Sequence, residues 1–142
     1  EQDEALSYDT RAPQRNAATL SALAEADLVI VVGRGDPIGL QRLVRSLGDL
    51  DDLGIPAARR WVVVNRVRAS ASGSRPRQVV RDALRRYAGV DAHLIPEDQP
   101  SCDGAVLAAR TLTEHAPGSP ARRAVVELAT EVLSSDVPAG AH

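Results

Sequence analysis

The 142-residue sequence contains no lysine; all 17 basic residues are arginines. Chemistry that needs a lysine amine, including the phosphate-gripping lysine of a P-loop, therefore cannot come from this chain. There is one cysteine, Cys102, and three histidines. That inventory excludes an internal disulfide and a cysteine-based zinc site, and the expected setting is reducing and cytoplasmic. No apolar run approaches the ~20 residues that cross a bilayer, and no signal-peptide pattern opens the chain, so no membrane span is expected. Methionine is absent even at position 1. Because a candidate strand begins almost at once, the expectation is a fragment whose natural N-terminus lies upstream. The lysine-free, Ala-, Arg- and Val-rich usage also has a purely compositional reading, a GC-rich coding sequence.

What is present describes a soluble globular domain. Apolar residues make up 44% of the chain, charged residues 25%, and the net charge is -2, which argues against a disordered tail, a collagen-like repeat or a bulk nucleic-acid binder. A chain of this length can bury roughly two-thirds of its unfolded surface in one core, with no need of a metal or disulfide staple. One domain over 1-142 is expected, with 134-142 as a frayed tail.

Along the chain, strand and helix patterns alternate. Ala5 to Asp9 is a short candidate strand, followed by turn-forming residues up to Pro13 and a helix from Asn16, a plausible N-cap, to Ala26. Leu28 to Val32 is a continuous apolar, β-branched run that suits a parallel strand buried on both faces. Asp36 before Pro37 is a strong helix start, and Leu40, Leu43, Val44 and Leu47 form the packing stripe of a helix ending near Leu47. Trp61 to Val67 is the next strand, and Ala69 to Ser74 a small-residue linker. Pro76 opens a helix packed through Val80, Leu84 and Tyr87. Ala92 to Ile95 is a fourth strand. Helices over about Asp103 to Glu114 and Pro120 to Leu133 close the pattern. The alternation predicts an α/β fold, a three-layer parallel sheet with helices on both faces.

Polar residues at strand carboxyl ends carry the candidate chemistry, because open α/β sheets bind ligands there. Asp9 followed by Thr10 can direct a carboxylate and a hydroxyl at a metal-phosphate group, or simply cap a turn. Asn65 interrupts an apolar strand; its amide offers an acceptor and two donors that can read a nucleobase edge, or be satisfied by neighbouring backbone. Pro96, Glu97 and Asp98, at the end of the adjacent strand, can form the facing wall of one crevice, or an ordinary strand-ending turn.

Four segments occur in order: Asp9-Thr10 after a strand, Glu25-Ala26-Asp27 leading into Leu28 to Val32, Val62-Val63-Val64-Asn65-Arg66-Val67, and Leu94-Ile95-Pro96-Glu97-Asp98. In this the chain resembles the later part of a MinD/ParA-type ATPase, a deviant Walker A P-loop NTPase, and is most similar to the CpaE-like and septum-site branch. The resemblance runs through Ala109-Arg110-Thr111-Leu112 and Ala116 to Pro120. It implies the P-loop NTPase-like fold as a partial domain, with the P-loop, its lysines and the catalytic aspartate lying before Glu1. It implies that Asp9, with Thr10 and Arg11, belongs to switch II and senses the metal-bound phosphate. Asn65 and Arg66 would match the adenine-reading pair, and Pro96, Glu97 and Asp98 the loop against base and ribose. It implies ATP and Mg2+ as cofactors of the longer protein, no catalytic residue or resident metal in this chain, and a homodimer formed around ATP. Loss of the P-loop strand would leave a bare apolar edge beside Leu28 to Val32, with Ala5 to Asp9 displaced.

A second charged feature is a helical stripe, Arg77, Arg81 and Arg85, whose like charges repel. DNA phosphates are one candidate for offsetting that repulsion, as implied by ParA-type proteins; acidic residues elsewhere in the fold, or plain solvation, are others. The resulting expectation is the nucleotide-binding half of an ATP-dependent positioning switch acting in septum placement, chromosome partition or pilus localisation. The alternative is a non-catalytic relative that serves as a protein-protein interaction module.

Overall fold

The computed structural model describes residues 12-135. The candidate strand Ala5 to Asp9, the site residues Asp9, Thr10 and Arg11, and the tail beyond Ser135 lie outside the described residues. The first helix, α1 (Ala12–Glu25), is followed by β1 (Val29–Arg34), α2 (Pro37–Asp52), β2 (Arg60–Val67), the short α3 (Ala69–Ser72), α4 (Pro76–Ala88), β3 (His93–Pro96), α5 (Gln99–Leu107), the short α6 (Leu112–His115) and α7 (Pro120–Ser134). The three strands form one parallel sheet in the order β1-β2-β3. No described helix is long and apolar enough to cross a membrane.

The sequence places each element by recognisable local physics. Asp36 caps α2, its Oδ1 accepting from the Gly39 N–H at 2.9 Å, and Pro37 occupies the first turn, where a missing N–H costs nothing. That backbone bond is the main reason the Asp36 carboxyl lies below its usual range. Glycine is required at Gly39 because a Cβ there would sit 2.7 Å from the Arg34 carbonyl oxygen. Gly89, with φ of 65°, ends α4 in the left-handed conformation that favours glycine.

Alternation along the strands assigns the layers. Val62 and Val64 of β2 and Leu94 of β3 join Leu43 and Leu47 of α2 and Val80 and Leu84 of α4 in the main core. His93, the neighbour of Leu94, points the other way, and its Nε2 donates to the Ala124 carbonyl of α7 at 2.7 Å. Helices therefore cover both faces of the sheet, the three-layer α/β arrangement expected. A satellite cluster of Val29, Leu50 and Ile55, with Leu23 and Ala26 against it, anchors the end of α1.

Several boundaries differ from expectation. Helix α1 starts at Ala12, so Asn16 is internal and not an N-cap; Pro13 falls in the first turn, which tolerates it. Helix α2 continues past Leu47 because Leu50 extends the same stripe. The single helix expected over Asp103 to Glu114 is two: α5 stops at Leu107, Ala109 takes φ of 50°, and Thr111 with Glu114 forms a capping box that starts α6. Residues Ala69 to Ser72 form one short helix in place of a linker.

Strand β1 also departs from the reading as doubly buried. Val29 is buried, but Ile30 and Val32 are 46% and 62% exposed, and among the described residues β1 pairs only with β2. On this face α7 lies against β3, two strands away, and leaves the β1 side chains open.

Leu84 has no exposed surface and joins α4 to the sheet. Leu84→Ala is expected to destabilise the chain by about 2–5 kcal/mol through lost transfer energy and a residual cavity. Chemical denaturation checks it; a loss under 1 kcal/mol would contradict the packing described.

Candidate functional site at the carboxyl ends of β2 and β3

The site begins with an irregularity in β2. Its pairing with β3 runs Val64↔Leu94 and then Val67↔Pro96, so three steps along β2 match two along β3. One extra residue is accommodated as a bulge, and Arg66 takes φ of 57°, a left-handed conformation rare outside glycine. The bulge turns Asn65 and Arg66 both outward, where strict alternation would bury one of them, and returns Val67 to the core. The Asn65 side chain supports it, its Oδ1 accepting from the Arg66 N–H at 2.8 Å.

Neighbouring backbone holds the bulge from both sides. The Gly35 N–H donates to the Asn65 carbonyl at 2.8 Å, and the Glu97 N–H donates to the Val67 carbonyl at 3.0 Å. Gly35 is glycine for a steric reason: a Cβ would lie 2.9 Å from the Val67 Cα. The chain that leaves β1 is thereby drawn against the β2 bulge.

All five described residues expected at a nucleobase site, Asn65, Arg66, Pro96, Glu97 and Asp98, line one cavity of about 350 Å³. That volume falls within the usual range of small-molecule sites. Its remaining wall comes from the first turns of α5 and α7, through Gln99, Cys102, Asp103 and Ala121. The α5 contribution had a local signal: Pro100 follows Asp98 at the spacing of a helix start, which places Gln99 to Asp103 beside the strand end. Ala121 had none, because only tertiary packing brings α7 there.

The charges in the cavity are organised. Glu97 Oε1 accepts from Arg66 Nε at 2.9 Å and from Arg68 Nη1 at 3.0 Å. Arg66 first, then Arg68, hold the Glu97 carboxyl below its usual range. Asp98 is engaged differently. It accepts from the hydroxyl of Ser119, a residue only 3% exposed that itself accepts from the Arg122 N–H to cap α7. The Ser119 bond is the foremost cause, ahead of Ser101, of a lowered Asp98 carboxyl. Asp98 thus ties the start of α5 to the start of α7, so its side chain positions the wall.

The arginine stripe lies elsewhere. Arg77 and Arg81 line a second cavity, about 730 Å³, at the amino ends of β2 and β3, together with Asp91, Glu127 and Glu131. Arg85 is paired with Asp91 at 2.8 Å. Acidic residues of the same fold stand close to these cations, which is one of the ways expected for their repulsion to be offset. Among the described residues no group of three or more His, Cys, Asp or Glu could hold a metal ion.

The Glu97 network has a pH signature. Its folded carboxyl is depressed relative to the unfolded chain, so its stabilising contribution is complete above the ordinary value of 4.5 and is lost as pH falls through the lower, folded one. A carbon-detected NMR titration should give a Glu97 midpoint below 4.5 that rises in Arg66→Gln. A midpoint at or above 4.5 in the parent would contradict the pairing.

No protein-family model and no curated protein matches the sequence. Among solved structures, a ParA family ATPase from Chlorobium tepidum TLS is similar in fold, with a TM-score of 0.63 and 19% sequence identity. The likeness covers 87% of this chain and 47% of that one, so the chain spans about half the length of this neighbour. The parallel α/β architecture described above is therefore one that a ParA family ATPase shares.

Proposed function

We propose that this chain supplies the base-and-ribose half of an adenine-nucleotide site, within a ParA/MinD-like, ATP-dependent positioning switch that dimerises around its nucleotide. The observation that carries the reading is the convergence of Asn65 with Pro96, Glu97 and Asp98 on one cavity at the strand carboxyl ends.

The donor and acceptor chemistry fits adenine. Asn65 Oδ1 has two lone pairs, one taken by the Arg66 N–H. The other can accept from the adenine 6-amino group while the amide N–H donates to N7, a bidentate match that guanine's carbonyl oxygen would break. Arg66, steadied by Glu97, offers a flat guanidinium for stacking on the base. Both arginine bonds to Glu97 use Oε1, leaving Oε2 as an acceptor for a ribose hydroxyl. Backbone groups of the Pro96 to Asp98 turn complete the wall.

The triphosphate end requires groups of another kind. ATP and Mg2+ would meet their phosphate and metal ligands through residues beyond those described, Asp9 and Thr10 among the candidates by resemblance, and a P-loop lysine cannot come from this sequence at all. The isolated chain is accordingly expected to show no ATP hydrolysis above background, and measurable turnover would refute this division of labour.

Cys102 is exposed and lines the same cavity, so its alkylation rate reports occupancy. ADP should slow the reaction of Cys102 with iodoacetamide more than GDP does at equal concentration. Asn65→Ala should weaken ADP protection about fivefold or more, corresponding to about 1 kcal/mol for a lost hydrogen-bonding group. Equal protection by ADP and GDP, or none by either, would overturn the base-reading role.

A further inference from the structure

The cavity of about 730 Å³ at the amino ends of β2 and β3 reaches His93 and Leu94 of β3 from between α4 and α7. These two helices lie on opposite faces of the strand: Leu84 of α4 packs with Leu94, whereas His93 bonds to Ala124 of α7. Among the described residues β3 pairs only with β2, so its second edge carries main-chain N–H and C=O groups with no strand beside them.

The charges that line the cavity separate by wall. Arg60 is paired with Asp51 at 2.7 Å and also donates to the Leu47 and Ile55 carbonyls, and Asp91 is paired with Arg85 at 2.8 Å. Two cations and two acids remain. Arg77 and Arg81 of α4 are exposed and have no ion-pair partner among the described residues. Glu127 of α7 has none there either, and Glu131, 57% exposed, has only the His93 ring, 3.7 Å away. The basic pair thus stands on the Leu94 face of the strand and the acidic pair on the His93 face.

That division matches the alternation of an added strand. Successive side chains of an extended segment point to opposite faces, and two that share a face are ~6.6–6.8 Å apart. Residues four apart on a helix are separated by ~6 Å along its axis, which is the spacing of Arg77 from Arg81 and of Glu127 from Glu131. A strand laid on the outer edge of β3, with acids at i and i+2 and bases at i+1 and i+3, would therefore meet opposite charge on both faces. A helix satisfies its own backbone and would leave the edge unpaired, and the phosphates of a nucleic acid would face the two glutamates.

We propose that the outer edge of β3 receives an extended segment of a partner protein in which acidic and basic side chains alternate. The surface uses none of the residues that line the strand-end cavity.

The probe is a fluorescein-labelled eight-residue peptide of alternating glutamate and lysine, titrated by anisotropy against the full chain at low ionic strength, where exposed charges are least screened. Three comparison peptides carry the same residues in two blocks, glutamate alone, or lysine alone. The alternating peptide should bind about fivefold or more tighter than each of them. Alternate main-chain groups of a strand point to one edge, so of two N-methylated alternating peptides, one methylated at the glutamates and one at the lysines, one should lose binding and the other should stay within about twofold of the parent. Arg81→Glu, at an exposed position, should weaken the alternating peptide about fivefold with an unchanged circular-dichroism melt, and Arg77→Gln gives an independent reading if that melt falls. Equal binding of alternating and block peptides, tightest binding by the all-glutamate peptide or by duplex DNA, or no binding at about 1 mM would overturn the proposal. So would the same response to both N-methylations, or undiminished binding to the folded arginine variants.

Discussion

Strand β2 is the one described strand hydrogen-bonded along both edges, and the rest of the architecture is referred to it. Its alternate side chains Val62 and Val64 enter the core shared by α2 and α4, while Val63, 2% exposed, is covered from the opposite face. A strand held on two edges and two faces cannot absorb an extra residue by sliding, since a one-residue slip would exchange its faces. The extra residue is therefore expressed locally, as the bulge at Asn65 and Arg66. That constraint places two adjacent polar side chains just before the buried Val67 that ends a packed strand.

The same bulge links the core to the site electrostatics. Once Arg66 is turned outward it meets Glu97 from β3, and Arg68, just past the end of β2, reaches the same oxygen. Coulomb attraction between exposed groups is weak in water, so these bonds contribute order to the cavity more than stability to the fold. Asp98 does the complementary task in the wall, where the buried Ser119 hydroxyl and the helix starts favour its negative charge. Two consecutive carboxylates thus act in different ways because their nearest partners differ.

The open face of β1 and the groove between α2 and α4 show how unevenly this fold covers its apolar surface. Ile30 and Val32 are exposed because α7 lies across β3. The α2/α4 groove is open for another reason: Leu43, Leu47 and Leu84 pack into the core beneath it, while Val79 and Tyr87 stand on its outer side half-exposed or more.

Much of this was legible in the order of residues. Asp36-Pro37 and Pro76 announced helix starts, β-branched runs announced strands, and the stripe of Leu43 and Leu47 announced which side of α2 is buried, because these signals act within a few residues. Asn65, Arg66, Glu97 and Asp98 were readable as polar residues interrupting or following apolar runs, and Pro96 as the proline that closes one of them. The Thr111 to Glu114 capping box was also local and would have divided the α5 to α6 segment correctly. What only the tertiary structure decided depends on groups distant in sequence: the bulge in β2, the double pairing of Glu97 to Arg66 and Arg68 across 31 and 29 residues, the Asp98 to Ser119 tie, and the acidic surroundings of Arg77, Arg81 and Arg85. The physical reason is range. Hydrogen bonds within a helical turn are specified by adjacent residues, while strand register and ion pairing are settled by which elements pack together.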